Sequence, residues 1–249
     1  MAGIQRPSRR PLAWLAAAVL VVASVGITWR FTTPRAPELR TATTAAGEHL
    51  VLRFADSSVV TLGPASTIRY VIDERRRAVE LQGLADFKVV HESARPFVVR
   101  AKNAIATDLG TAFVVRAYAE DSMVQVAVTS GVVSLVGVGS PPIELRQGDV
   151  AHVGASGVAT RETVAATTRA AWVDGGLVFA DEPLANVARE LSRWFDVTIQ
   201  IPDSALARRR VSAVYNDPTL AGVLDALEAS LDVHVARNGR NVVITARAR

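Results

Sequence analysis

The chain has 249 residues, 49% of them hydrophobic, and no cysteine. That excludes wholesale disorder, disulfides, thiol catalysis and cysteine-ligated metal, and it leaves room for two modest domains with real cores. The net charge of +4 suggests nucleic acid, but six Arg and one acid, Glu38, lie within residues 1–40, so residues 41–249 carry about −1. The basicity is an N-terminal flank and not a groove for phosphates, and no nucleic-acid partner is expected.

Arg6, Arg9 and Arg10 mark a short tail, residues 1–11, ahead of the uncharged run Leu12 to Trp29. Those eighteen residues, at the helical rise, make roughly 27 Å, near the thickness of a bilayer core. Trp14 and Trp29 lie near the two ends, where amphipathic rings favour the headgroup region. The expectation is a single transmembrane helix over 12–29, its Arg-bearing tail in the cytoplasm and its bulk outside. A cleavable signal peptide, with Val22-Ala23-Ser24 as the cleavage site, is the alternative. The continuing run through Val25 and Ile27 favours the anchor, and both readings export the remainder. Residues 30–46, with Pro34 and Pro37, read as an extended linker.

From Glu48 a train of short strands begins, at Leu50–Phe54, Val59–Leu62, Ile68–Ile72, Val79–Leu81 and Phe87–Val90. It continues through the Val- and Phe-rich runs between Arg95 and Val133 to Ile143–Leu145 and Asp149–Val153. Gly110 and Gly131 each sit just before a run, where a positive φ or a close chain approach would require glycine. The triplets Arg75–Arg77 and Arg208–Arg210 read as solvated turns. A mainly β domain is expected over 47–154, and periodicity does not choose between sandwich, barrel and solenoid. Residues 155–174, Ala- and Thr-rich, read as a connector.

Residues 175–249 contain a repeat. Leu184, Val187, Ala188, Leu191 and Phe195 recur thirty-six positions later as Leu220, Val223, Leu224, Leu227 and Leu231, each set forming one face of a helix. Asp181 and Asp217, the latter followed by Pro218, are the expected N-caps. Strands flank each helix, at Leu177–Ala180, Val197–Ile201, Val211–Tyr215 and Val233–Ala236, with a last strand Val242–Thr245 after the Asn238-Gly239 turn. The expected fold is a small α/β domain built from a βαβ repeat.

Several of these runs resemble a known family. Arg95-Pro96-Phe97-Val98-Val99, then Leu109-Gly110-Thr111-Ala112-Phe113-Val114-Val115, then Val124 to Val128 with Gly131 and Val133, resemble the FecR domain of bacterial cell-surface-signalling regulators. Upstream, Asp56-Ser57-Ser58 with Val60 and Leu62 resembles the family's Asp-Gly-Ser turn, with Ser57 in the glycine place. Trp172, Gly175, Leu177 and Phe179 match the family's junction motif, and the βαβ repeat resembles the STN domain of secretins and signalling-type TonB-dependent receptors. The resemblance implies a twisted, β-solenoid-like first subdomain and an STN-like second one. It further implies a protein of the inner (cytoplasmic) membrane whose periplasmic part receives a signal from a TonB-dependent outer-membrane receptor, such as one for an iron siderophore. Its output would be regulation of an extracytoplasmic-function sigma factor. The family's cytoplasmic sigma-binding domain has no counterpart in residues 1–11, so the expectation is that this chain as written does not hold a sigma factor by itself. A structural envelope module on the same scaffold is the alternative.

No chemistry is written in the sequence. His49, His91, His152 and His234 are scattered without metal-ligand spacing, and Gly154-Ala155-Ser156-Gly157 lacks the spacing of a nucleophile elbow. The expectation is a protein without enzymatic activity, cofactor or metal. Docking is expected by strand addition, because small βαβ domains leave sheet edges unpaired. The candidate edges are Val197, Thr198, Ile199, Gln200 and Ile201, and Val211, Ser212, Ala213, Val214 and Tyr215. Trp194 and Phe195 are a second candidate patch, with core packing the favoured role for Phe195.

Overall fold

The structure, a computed structural model, describes residues 38–162 and 166–247. The expected membrane helix over 12–29 lies outside them; among the described residues no helix is long and apolar enough to cross a membrane. Leu39–Arg249 forms one compact unit. Its first part is mainly β and its second a small α/β region.

The β part is built from hairpins: β1 (Arg40–Thr43), β2 (Leu50–Arg53), β3 (Val59–Leu62), β4 (Thr67–Ile72), β5 (Arg77–Lys88), β6 (Phe97–Ala101), β7 (Ala104–Asp108) and β8 (Ala112–Ala117). There follow β9 (Val124–Ser130), β10 (Val132–Gly137), β11 (Ile143–Arg146), β12 (Val150–Val153) and β13 (Ala159–Glu162). These thirteen strands form one sheet with main path β11-β10-β7-β6-β5-β8-β9-β12-β13, folded over its own core and approaching a barrel. Coils stacked as in a solenoid would pair strands in parallel from turn to turn. Within this sheet β5–β6 is the one parallel pair among the described residues, so the solenoid-like stacking expected from the resemblance gives way to an antiparallel, folded sheet. Two segments read as linker and connector contribute strands: Arg40–Thr43 pairs with β4, and Ala159–Glu162 with β12.

The largest departure is β5. Two strands were expected, at Val79–Leu81 and Phe87–Val90, with a break at Gln82-Gly83. The chain instead makes one twelve-residue strand that serves both halves of the sheet. Its first half pairs with β4 and β6, and its second, from Gly83, with β3 and β8. Gly83 turns the corner at φ +117°, and a Cβ there would lie 2.2 Å from Ser66 Oγ. That hydroxyl accepts from Leu84 N at 2.9 Å and donates to the Pro64 carbonyl at 3.0 Å, so it has no room to retreat. Gly110 and Gly131 hold the positive φ expected of them, at +102° and +80°, and meet each other closely.

The family motifs turn out to be core. Phe87 stacks on Phe113 at 5.0 Å and meets Phe97 edge-on at 6.0 Å, all three fully buried. Arg77, read from its triplet as solvated, is 1% exposed. Its guanidinium donates to Asp56 Oδ2 at 3.1 Å, to the Val90 carbonyl at 2.8 Å and to the Arg95 carbonyl at 2.7 Å, which pins the loop after β5. Proximity in sequence to Arg75 and Arg76 disguised it; strand alternation put it inside.

The second part comprises a short helix α1 (Ala166–Ala170) with a 3-10 turn (Ala171–Asp174), β14 (Leu177–Pro183), α2 (Leu184–Phe195), β15 (Thr198–Gln200), α3 (Ser204–Ala207), β16 (Arg210–Tyr215), α4 (Leu220–Leu231), β17 (Val233–Asn238) and β18 (Asn241–Ala246). The repeat is visible in the packing, since Leu184, Val187 and Leu191 of α2 share a core with Val223, Leu224, Leu227 and Leu231 of α4. It extends to the backbone, where Asp181, Asp196, Asp217 and Asp232, again thirty-six apart in pairs, all have positive φ. The expected N-caps are corrected accordingly. Asp181 and Asp217 occupy left-handed turns upstream of the helices, whose N-caps are Pro183, with no side-chain bond, and Thr219, which accepts from Gly222 N at 3.2 Å.

Replacing Gly83 with alanine combines a positive-φ side chain with a backbone-level clash. The expected loss is roughly 2–4 kcal/mol of folding stability, read from denaturant unfolding monitored by circular dichroism. A G83A chain as stable as wild type would show that the corner is relaxed by other residues.

Candidate functional site: the seam and the sheet edges

Helix α2 is buried on two sides. Its apolar stripe faces α4, as the spacing implies. Its other flank carries Glu190 and Arg193, both buried, against the end of β8 and the loop after it. Glu190 Oε2 accepts from Arg116 at 2.6 Å and from Arg193 at 3.2 Å, while Arg116 Nε also donates to Asp121 at 2.9 Å. Arg193 reaches Glu120 as well. Both guanidinium groups also lie against the Tyr118 ring, 3.8 Å from its centre for Arg193 and 5.0 Å for Arg116, and its hydroxyl donates to the Pro64 carbonyl at 2.8 Å. The β part and the α/β part are thus joined by a buried ionic cluster around one aromatic ring.

Burial works against the Glu190 charge, yet Arg116 and Arg193 hold its carboxyl below the usual carboxylate range. Burial pushes the Tyr118 hydroxyl up, and the Glu190 charge adds to the rise. Nothing in the sequence marked this cluster. Glu190 and Arg193 are three apart on the polar side of a helix, a pattern that ordinarily means a solvated face.

An apolar seam runs beside it. Leu84, Val114, Tyr118, Ala127, Val150, Ala166 and Trp172 form one buried cluster, with Trp194 packed at its margin. His49 meets the Trp194 ring edge-on at 5.0 Å and the Trp172 ring in a stacked arrangement at 6.0 Å. Burial lowers its pKa. Trp194 and Phe195, offered above as a partner patch, are partly buried, packed against the margins of these cores. The same cover explains Asp86, 3% exposed on the outer face of β5. Burial pushes its carboxyl up to about 6, opposed by Lys88 and reinforced by Asp174.

The candidate edge strands lie elsewhere and in different sheets. β15 covers Thr198–Gln200 only, with Val197 and Ile201 flanking it, and ends the sheet β15-β18-β17, paired in parallel with β18. β16 belongs to the two-stranded sheet β14-β16, so one of its edges has no strand neighbour among the described residues. Val211 is buried and Ala213 and Tyr215 are half-buried, whereas Ser212 is exposed and Val214 is 66% exposed. The histidines do not converge: His152 meets Glu162 and His234 meets Glu228, each at 3.2 Å. Among the described residues no cluster of three or more His, Asp or Glu is arranged to hold a metal ion.

The sequence matches the FecR protein family over residues 40–134 and the FecR C-terminal family over residues 176–244. The chain belongs to the FecR family. Comparison with curated proteins gives no match. Two crystal structures of a candidate anti-sigma factor from Parabacteroides distasonis are similar to it. One superposes with a TM-score of 0.79 at 26% identity, covering 85% of this chain and all of that one; the other gives 0.78 at 25%, covering 84% and all. The FecR match spans the folded β sheet, and the C-terminal match the βαβ repeat. The seam cluster bridges the two matched regions, with Arg116 in the first and Glu190 and Arg193 in the second.

Two outcomes follow from the seam's electrostatics. Glu190→Ala removes the buried carboxylate the two guanidinium groups share, leaving Arg116 on Asp121 and Arg193 on Glu120, and is expected to cost about 1.5–3 kcal/mol. Because the Glu190 pKa is lowered on folding, its contribution is present above the ordinary value of 4.5 and lost as pH falls through the folded value. The stability gap between wild type and E190Q therefore shrinks on acidification, and a gap that widens would contradict the assignment. Asp86 has the opposite sign. Its folded value of about 6 lies above the ordinary 3.8, so ionisation weakens the fold as pH rises through that window. Asp86→Asn is expected to gain about 2 kcal/mol at pH 7.5 and little at pH 4, read from unfolding titrations at both.

Proposed function

We propose that this FecR-family chain is a signal relay: anchored in the inner membrane by residues 12–29, it receives a signal in the periplasm from a TonB-dependent outer-membrane transducer and regulates an extracytoplasmic-function sigma factor. The observation that carries this reading is the pairing of FecR and FecR C-terminal regions in one chain, in a fold that superposes on a candidate anti-sigma factor along that protein's whole length. Proteins of this family are generally not enzymes. The relay needs none, because its work is to couple two binding events through one rigid body.

On this reading the transducer's periplasmic signalling domain adds a strand to the α/β part. The candidates are the edges Val197–Ile201 and Val211–Tyr215. The second is the better prepared, since a two-stranded sheet is incomplete by the usual standard and Val214 stands exposed beside its unpaired edge. The bond ladder would give affinity, and the alternate side chains Ser212 and Val214 would read the partner.

The test is titration of the full chain, in detergent micelles, with the purified periplasmic domain of a TonB-dependent transducer encoded beside it, read by calorimetry. Single prolines are placed through 198–200 and 211–215. A proline at an outward N–H of the docking edge is expected to abolish binding with little change in melting temperature. Unchanged affinity across both strands would reject strand addition there, and absence of any binding would reject the relay.

A further inference from the structure

The cleft beside the seam is used by nothing above. It encloses about 630 Å³ between β8–β9 and the α/β part. One wall consists of four consecutive residues, Gly176, Leu177, Val178 and Phe179, and no residue of β16 contributes. Side chains in a strand alternate between its faces, so a cavity that meets four residues in succession runs along the strand's edge. β14 has one strand neighbour among the described residues, β16, and its other edge borders this cleft.

Two more donors stand in the cleft walls. Trp172 Nε1, on a side chain 6% exposed, and Arg169 Nε are both buried without an acceptor. A buried N–H without a partner forfeits the hydrogen bond it had in water, so each calls for an oxygen. Several charged groups nearby are already paired: Arg169 with Glu162 at 3.4 Å and Glu182 at 3.3 Å, and Arg116 with Glu190 and Asp121, while Arg189 at the rim donates to Asn186. The remaining lining at its base, Leu84, Val114 and Ala127, is apolar and buried.

We propose that this cleft is a peptide-binding site: an extended segment of another protein pairs with the open edge of β14, its carbonyl oxygens serve Trp172 and Arg169, and small apolar side chains at alternate positions face the base. An open strand edge and spare N–H donors both ask for peptide carbonyls, and an alternating segment puts apolar groups on one side only. The site lies on a different strand from the edges considered for the transducer, so it stands or falls separately from that docking.

The probe is a fluorescein-labelled heptapeptide of alternating valine and threonine, with a block-ordered peptide of the same composition as control. It is titrated by fluorescence polarisation against the full chain in detergent micelles. Saturable binding of the alternating peptide is expected, at least fivefold weaker in W172F, which keeps the ring's bulk and loses its N–H. Single prolines at Val178 and Phe179 are also compared, because N–H groups alternate and one of these two points away from β16; that one is expected to abolish binding. Hydrogen exchange provides a readout that does not depend on the variants folding: peptide should slow exchange within residues 176–179. No saturable binding up to millimolar peptide, equal affinity for W172F and wild type, or protection confined to β15 or β16 would each overturn the proposal.

Discussion

The structure depends on one corner. β5 pairs on both edges in each of its halves, and Gly83 bends it so that the halves belong to opposite sides of a folded sheet. Among the described residues no other strand has that role. Along the first half the odd positions Arg77, Val79 and Leu81 face inward and the even positions are open or half-open. Beyond Gly83 both faces are buried, with Ala85 and Phe87 in the core and Leu84 and Asp86 beneath the connector and Trp172. The bend therefore does more than close the sheet. It presents the outer face on which the second part of the molecule rests.

That resting place is held by an unusual mixture of forces. Apolar burial of Trp172, Val114 and Ala127 is non-directional and would tolerate a slide of α2 along the sheet. The Arg116–Glu190–Arg193 cluster would not, because its bonds require particular distances and a buried charge that loses its partner is costly. Replacement by apolar residues of similar volume could well leave such a joint as stable. What ions supply here is register: one orientation of α2 on β8, with both cations against the Tyr118 ring. A joint fixed in this way makes the two parts move as one body.

A second buried cation has a local task. Arg77 binds Asp56 and gathers two backbone carbonyls of the loop after β5, so the chain can cross back and start β6 in parallel with β5. The two arginine sites illustrate the same economy. Guanidinium offers several donors in one plane, so a single side chain can satisfy a carboxylate and stray carbonyls together. Asp86 lacks such a partner, and its raised pKa records the cost of covering the sheet face.

The sequence by itself determined the order of the parts, the strand-rich first region, the thirty-six-residue repeat with its two apolar helix faces, and the family. These are written in local periodicity and in short motifs whose residue types and order are legible, Phe97, Phe113 and Gly131 among them, although their packing partners lie elsewhere in the chain. Tertiary structure alone decided the rest. Gln82-Gly83 reads as a break, and only the pairing of both halves makes it a corner within one strand. Asp181 and Asp217 read as caps, yet a left-handed turn before each helix hands that place to Pro183 and Thr219. Arg77 reads as solvated and nothing marks Glu190 or Arg193, because charge in sequence says nothing of partners: Arg77 meets Asp56 twenty-one residues away, and Arg116 meets Glu190 across seventy-four. Long-range ion pairs leave no periodic trace in a single sequence, and the open edge of β14 leaves none either, since an unpaired strand and a paired one are spelled alike.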